Sequence, residues 1–108
     1  MGTPNVLALF KLADKPSTLG SSTQTIKAPE LTESDITIGN KNAKVVLIEY
    51  SDFQCPACAY YHSFVKQLTD EYKDKILFAY RFFPLQQIHP NAMPSSQAAY
   101  AAHLQGKF

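Results

Sequence analysis

The chain has 108 residues, 45% hydrophobic and 18% charged, which makes one small globular domain at most and excludes wholesale disorder. Ten Lys+Arg against nine Asp+Glu leave a net charge of +1, without the basic excess of a nucleic-acid binder. No apolar run is long enough to span a bilayer, and the N-terminus shows no basic segment before its apolar patch and no cleavage site, so neither a membrane span nor a signal peptide is expected.

In chain order, Val6 to Leu12 form a short apolar patch broken by Lys11. Residues 14–44 are rich in Ser, Thr, Pro, Gly, Asn and Lys and hold no sustained period, which predicts a linker or loosely attached extension. The expected division is an N-terminal extension over 1–35 and a folded domain over 36–108. Ile36 and Ile38 suit a short edge strand before the Gly39-Asn40 turn signal. Val45 to Tyr50 is a β-branched run, apolar on both faces as a buried central or parallel strand is.

After the loop Ser51 to Gln54, a helix is expected to open at Cys55, with Pro56 in its first turn, where a missing N–H costs nothing. Cys58, Tyr61, Val65, Leu68 and Tyr72 step by three and four residues and predict one core-facing stripe ending near Tyr72. Ile76 to Phe83 reads as a further strand stopped by Pro84. Strand–helix–strand over roughly 40 residues implies parallel strands. From Asn91 or Pro94 to Leu104 an Ala-rich segment favours helix, and Gly106 fits its stop.

Cys55 and Cys58 are the only cysteines. Two cannot build a disulfide framework, and they fall short of the four ligands of a structural zinc site. A C-x-x-C pair directly after an apolar strand and at the start of a long amphipathic helix points to redox chemistry. The first thiol lies where unpaired N–H groups and the helix dipole stabilise a thiolate, and the second lies one turn inward, within reach of a mixed disulfide. Glu49 lies in an otherwise apolar strand, on the face shared with Val45 and Leu47. A carboxylate buried there is placed to take or give the proton of the resolving thiol.

The stretch VVLIEYSDFQCPACAYYHSFVKQL, followed by ILFAYRFFPLQQIHPNA and AAYAAHLQGKF, resembles the DsbA-like branch of the thioredoxin superfamily, bacterial and mostly exported thiol–disulfide oxidoreductases. The resemblance runs from about Ile38 to Phe108, and its most specific piece is D-F-x-C-P-x-C after a hydrophobic strand. It implies an α/β, partial thioredoxin-like fold in which the Ala-rich segment begins a helical insertion. It places the nucleophile on Cys55, the resolving cysteine on Cys58 and the buried acid on Glu49. Phe53, Pro56, Ala57 and Tyr60 are the candidate substrate contacts. No cofactor or metal is implied. The implied partners are proteins bearing cysteine thiols or disulfides and a redox partner protein, with no nucleic acid. The implied location is periplasmic or otherwise extracytoplasmic, with an anchor in the full-length protein as one option.

Two departures from the family pattern matter. The dipeptide between the cysteines is Pro-Ala, where the best-known strong oxidant of the family has Pro-His. Without that imidazole a less oxidising couple is expected. The chain also stops before the strands and cis-proline loop that complete the family fold, so it reads as a fragment or as one completed by another copy, and self-association or segment swapping is expected.

The plainer readings are a structural cysteine pair, or a soft-metal module using Cys55, Cys58 and His62 without an evident further ligand. For Glu49 the plain reading is a solvated carboxylate or a partner of Lys44 or Arg81. For the tyrosines and phenylalanines of the helix and following strand it is core packing. His89 reads as structural or as a helix-start contact, and His103 as lying on a solvated helix face.

Overall fold

The strand at the centre of the molecule is the run Ile76–Phe82 (β3), which hydrogen-bonds to a neighbour on each side. The computed structural model describes residues 27–108, and the architecture below belongs to the compact unit Leu31–Phe108. The apolar patch at Val6–Leu12 and the greater part of the expected N-terminal extension lie outside the described residues.

Two further strands flank β3, Ile36–Gly39 (β1) and Val45–Ser51 (β2). β1 runs antiparallel to β3, pairing Ile36 with Tyr80 and Gly39 with Leu77. β2 runs parallel to it, pairing Val45 with Ile76 and Ser51 with Phe82. The parallel pair is joined by helix α1, Pro56–Glu71, in the strand–helix–strand arrangement that the sequence pattern implies. Helix α2, Ala92–Leu104, follows a loop after β3. The class is α/β with a three-stranded mixed sheet in the order β1-β3-β2.

The run Val45–Tyr50 pairs in parallel as expected, but its expected central, buried place is not the one it takes. Among the described residues β2 is an edge strand, and its first residue, Val45, is 58% exposed. β3 takes the central place instead, and Ile76 through Tyr80 are all buried. Both runs are apolar on both faces. What separates them is the antiparallel β1, which pairs with β3 and so makes it central. The core gathers Ile36, Phe78 and Tyr80, with Leu47, Val65 and Phe82 packed against them.

Gly39 ends β1 with φ +105°, a backbone conformation that favours glycine, and a Cβ there would lie 2.7 Å from the Ile76 carbonyl oxygen. Asn40 then turns the chain. Its Nδ2 donates to Asp74 O at 2.8 Å, and its Oδ1 accepts from Asn42 N at 2.9 Å.

Cys55 is the N-cap of α1 and Tyr72 its C-cap, within a residue of the expected limits. Cys58, Val65, Leu68 and Tyr72 are half-buried as the stripe predicts, but Tyr61 is exposed. Its ring neighbours are Tyr60 and Phe64 of its own helix, so these tyrosines are not core residues. α2 ends as expected at Gly106, with φ +69°. Gly106 N donates to His103 O, and Lys107 N to Ala102 O, the paired bonds of a glycine-terminated helix. That reversal lays Phe108 against Tyr80 and Phe82. His103 is half-buried between Tyr100 and Phe108 rather than on a solvated face.

Candidate active site

The loop from β2 into α1 presents the two cysteines. Cys55 N donates to Asp52 O at 3.1 Å, closing a tight turn, and Ala59 N donates to Cys55 O as the first turn of α1 forms. Pro56 occupies the first helical position, where its fixed φ suits the helix and its lack of N–H is harmless. No side-chain hydrogen bond caps this N-terminus and its first turn holds no acidic residue, so the positive end of the helix is left to the Cys55 sulfur.

Cys55 and Cys58 are both free thiols and both half-buried. The Cys58 backbone N–H and then the Cys58 thiol, both directed at the Cys55 sulfur, hold the Cys55 thiol below its ordinary value. Burial works against them, the Ala57 N–H adds to them, and the negative charge of Asp52 opposes them. The balance shifts Cys55 toward the thiolate, the state a nucleophile needs.

Around the pair, Pro56 and Ala57 are exposed beside the sulfur atoms, and Phe53 is 49% exposed with its ring against Tyr80 and Phe82. Tyr60 is more exposed still, at 65%, but its ring neighbours are Tyr61 and Phe64 further along the helix rather than Phe53. Phe53 and Tyr60 therefore do not form one aromatic platform.

Glu49 is half-buried rather than buried. It stands on β2, which has strand cover on one side only, and it lines a cavity of about 310 Å³ together with Cys58, Asp52, His62 and Tyr80. It also borders a larger, mostly apolar cavity of about 540 Å³ beneath α1, bounded by Phe78 and Phe108. The Glu49 carboxyl and the Cys58 thiol thus share one water-accessible space, suited to passing a proton through solvent. Among the described residues Arg81 binds Asp35 through Nε and a terminal nitrogen, at 2.5 and 2.7 Å, and donates to the Tyr50 hydroxyl.

From sequence, Asp52 is quoted as the first residue of D-F-x-C-P-x-C but receives no role of its own. Its side chain is 2% exposed and accepts three hydrogen bonds, from Gln54 N at 2.8 Å, Leu85 N at 3.0 Å and His89 Nδ1 at 2.7 Å. Burial disfavours its charge, but the bonds from His89, Leu85 and Gln54 outweigh burial and keep the carboxyl below its ordinary value. The signal available in the sequence was a lone Asp three residues before a helix-opening cysteine, a position rich in N–H donors. Among the described residues no group of three or more His, Cys, Asp and Glu side chains converges as a metal-binding cluster, and no helix is long and apolar enough to cross a membrane.

Comparison with known proteins places this geometry. The chain is 34% identical over 104 residues to a protein of Mycolicibacterium vanbaalenii named Na(+)/H(+) antiporter NhaA 1, covering 94% of this chain and 16% of that protein. It is 37% identical over 70 residues to Na(+)/H(+) antiporter NhaA 3 of Salinispora tropica, covering 65% of this chain and 11% of that one. A Rickettsia bellii protein named "Putative protein-disulfide oxidoreductase" is 42% identical over 52 residues, covering 47% of this chain and 20% of the other. The chain thus spans about one-sixth of the length of the first of these relatives. No solved structure matches it significantly. The family model described as Thioredoxin matches residues 31–108, which is the whole compact unit with its C-x-x-C helix, and the chain belongs to that family.

Proposed function

We propose that this domain is a thiol–disulfide oxidoreductase of the DsbA-like kind, exchanging disulfides with cysteines of exported proteins outside the cytoplasm. The observation that carries the reading is Cys55 at the N-cap of α1, its thiol drawn toward the thiolate, with Cys58 one turn inward. The family and the similarity to a protein named for disulfide oxidoreduction support it.

In the oxidised domain a substrate thiolate attacks the Cys55 sulfur. The Cys55–Cys58 bond breaks, and Cys58 leaves as a thiolate that is protonated through the water-accessible space it shares with Glu49. A second substrate thiolate attacks the substrate sulfur of the mixed disulfide, the substrate disulfide forms, and Cys55 leaves as its stabilised thiolate. Two electrons pass from substrate to the cysteine pair, and a partner disulfide removes them to restore the enzyme. Phe53, Pro56 and Ala57 are the surface the substrate meets, with Tyr60 at its margin.

The test is trapping. With Cys58→Ser, the Cys55 thiolate attacks a disulfide of an exported protein, one substrate thiolate leaves, and the mixed disulfide accumulates for want of a second enzyme thiol to resolve it; with Cys55→Ser none forms. No mixed disulfide with any such substrate contradicts the reading.

A second reading is favoured by the relatives named as antiporters, whose similarity extends over 94% of this chain. In it the domain is the redox part of a membrane transporter. Recovery from cells with membranes, in the same polypeptide or complex as a sodium–proton antiporter, supports it. Recovery only in the aqueous fraction contradicts it.

A further inference from the structure

Two loops distant in sequence meet at the C-x-x-C helix. The β2–α1 loop (residues 52–55) carries Asp52, and the β3–α2 loop (residues 83–91) carries His89. The Asp52 carboxylate joins them through its bonds from Leu85 N and His89, and Gln54 adds a second tie, its Oε1 accepting from Asn91 N at 2.7 Å. The main-chain oxygen of the same Asp52 holds Cys55 N. One residue therefore binds the neighbouring loop with its side chain and the nucleophile with its backbone. An ionised carboxylate only accepts, so His89 donates from Nδ1 and, when neutral, leaves Nε2 bare. The imidazole is 17% exposed and can exchange protons with solvent.

Building on the proposed thiol chemistry, we propose that Asp52 and His89 act as a positioning pair for Cys55, holding the loop that presents its sulfur and governing, through the net charge of the pair, how readily that sulfur reacts. With His89 neutral the pair carries one negative charge, which opposes a Cys55 thiolate. With His89 protonated the pair is neutral and the opposition is lifted. Cys55 thus keeps more thiolate beside a protonated His89 than beside a neutral one. The β3–α2 loop and the first turn of α2 hold no other ionisable side chain. On the other side of Asp52 the ionisable groups are Cys55 and, across the cavity, Glu49, Cys58, His62 and Tyr80. Substituting His89 leaves all of these in place.

The experiment measures alkylation of Cys55 by iodoacetamide between pH 5 and pH 9 on the reduced 108-residue chain, with mass spectrometry separating Cys55 from Cys58. Wild type is compared with His89→Gln, which keeps an amide donor without a titrating group, and with Asp52→Asn, which keeps the shape without the charge. The wild-type to His89→Gln rate ratio is expected to be near one at pH 9 and to rise to about threefold at pH 5, where a protonated imidazole offsets the Asp52 charge. Asp52→Asn is expected to react faster than wild type near neutral pH, by up to about threefold, with the advantage shrinking toward pH 5. Ratios that stay constant across pH show a merely structural tie and overturn the proposal, as do superimposed profiles. If His89→Gln fails to fold, the Asp52→Asn profile decides alone. Alkylation needs no disulfide substrate, so failure here and failure of the oxidoreductase reading are separate results.

Discussion

Replacing Asp35 by Asn tests whether β1 is strapped to the sheet by charge. The Asp35 side chain is 4% exposed and lies just before β1, in sequence 46 residues from Arg81 on the central strand. Arg81 grips it with two nitrogens and Thr32 N adds a third bond at 2.7 Å. The hydrogen bonds from Arg81 chiefly, against the opposing effect of burial and with help from Thr32, hold the carboxyl at about 2. From an ordinary value of 3.8 that drop corresponds to about 2 kcal/mol. Solvent reaches the guanidinium side of the pair, so about 1 kcal/mol is expected as measured stability. The sign follows from the lowered value: the contribution is complete above the unfolded-state value near 4 and is lost as pH falls through about 2. Urea denaturation followed by far-ultraviolet circular dichroism should show Asp35→Asn less stable by about 1 kcal/mol at pH 7, with the gap closing toward pH 2. A gap that is absent at pH 7, or that does not change with pH, refutes the reasoning.

Gly39→Ala should cost about 1–3 kcal/mol in the same assay, because φ +105° is strained for alanine and its Cβ meets the Ile76 carbonyl at 2.7 Å; an unchanged midpoint contradicts the turn geometry. Cys55 should be half-alkylated at a lower pH than the same cysteine in an unfolded peptide of identical local sequence. Its contribution to the stability of the reduced fold is full above the unfolded thiol value and lost as pH falls through the folded one. Glu49→Gln should slow the steps in which Cys58 gains or loses a proton and leave the first attack on Cys55 nearly unchanged, as read by stopped-flow mixing with a model thiol. Equal slowing of both steps removes the carboxyl from proton transfer.

The parts of the fold that were legible from sequence are those written in local patterns. The apolar run Val45–Tyr50, the stepping of Cys58, Val65, Leu68 and Tyr72, Pro56 at the helix start and Gly106 at a helix end each declare themselves within a few residues. The cysteine pair was legible for the same reason, since its meaning comes from the strand before it and the helix after it. Strand centrality was not legible, because β2 and β3 have the same two-sided apolar character and only the distant antiparallel partner Ile36–Gly39 tells them apart. That error carried over to Glu49, which reads as buried only if β2 is central. The exposed Tyr61 shows that helical spacing marks a face without saying what covers it. The bond between Asp52 and His89 joins positions 37 apart, each a single polar residue in a loop, and no periodic signal links such pairs.

The central claim is that Cys55 and Cys58 form a working two-electron couple. Equilibrating the 108-residue chain in glutathione buffers of graded potential, then trapping thiols and weighing the products, tests it most directly. The account predicts a cooperative transition between dithiol and intramolecular disulfide, at a potential between about −270 and −120 mV. A pair that never closes, or that forms only glutathione adducts like unstructured thiols, contradicts it.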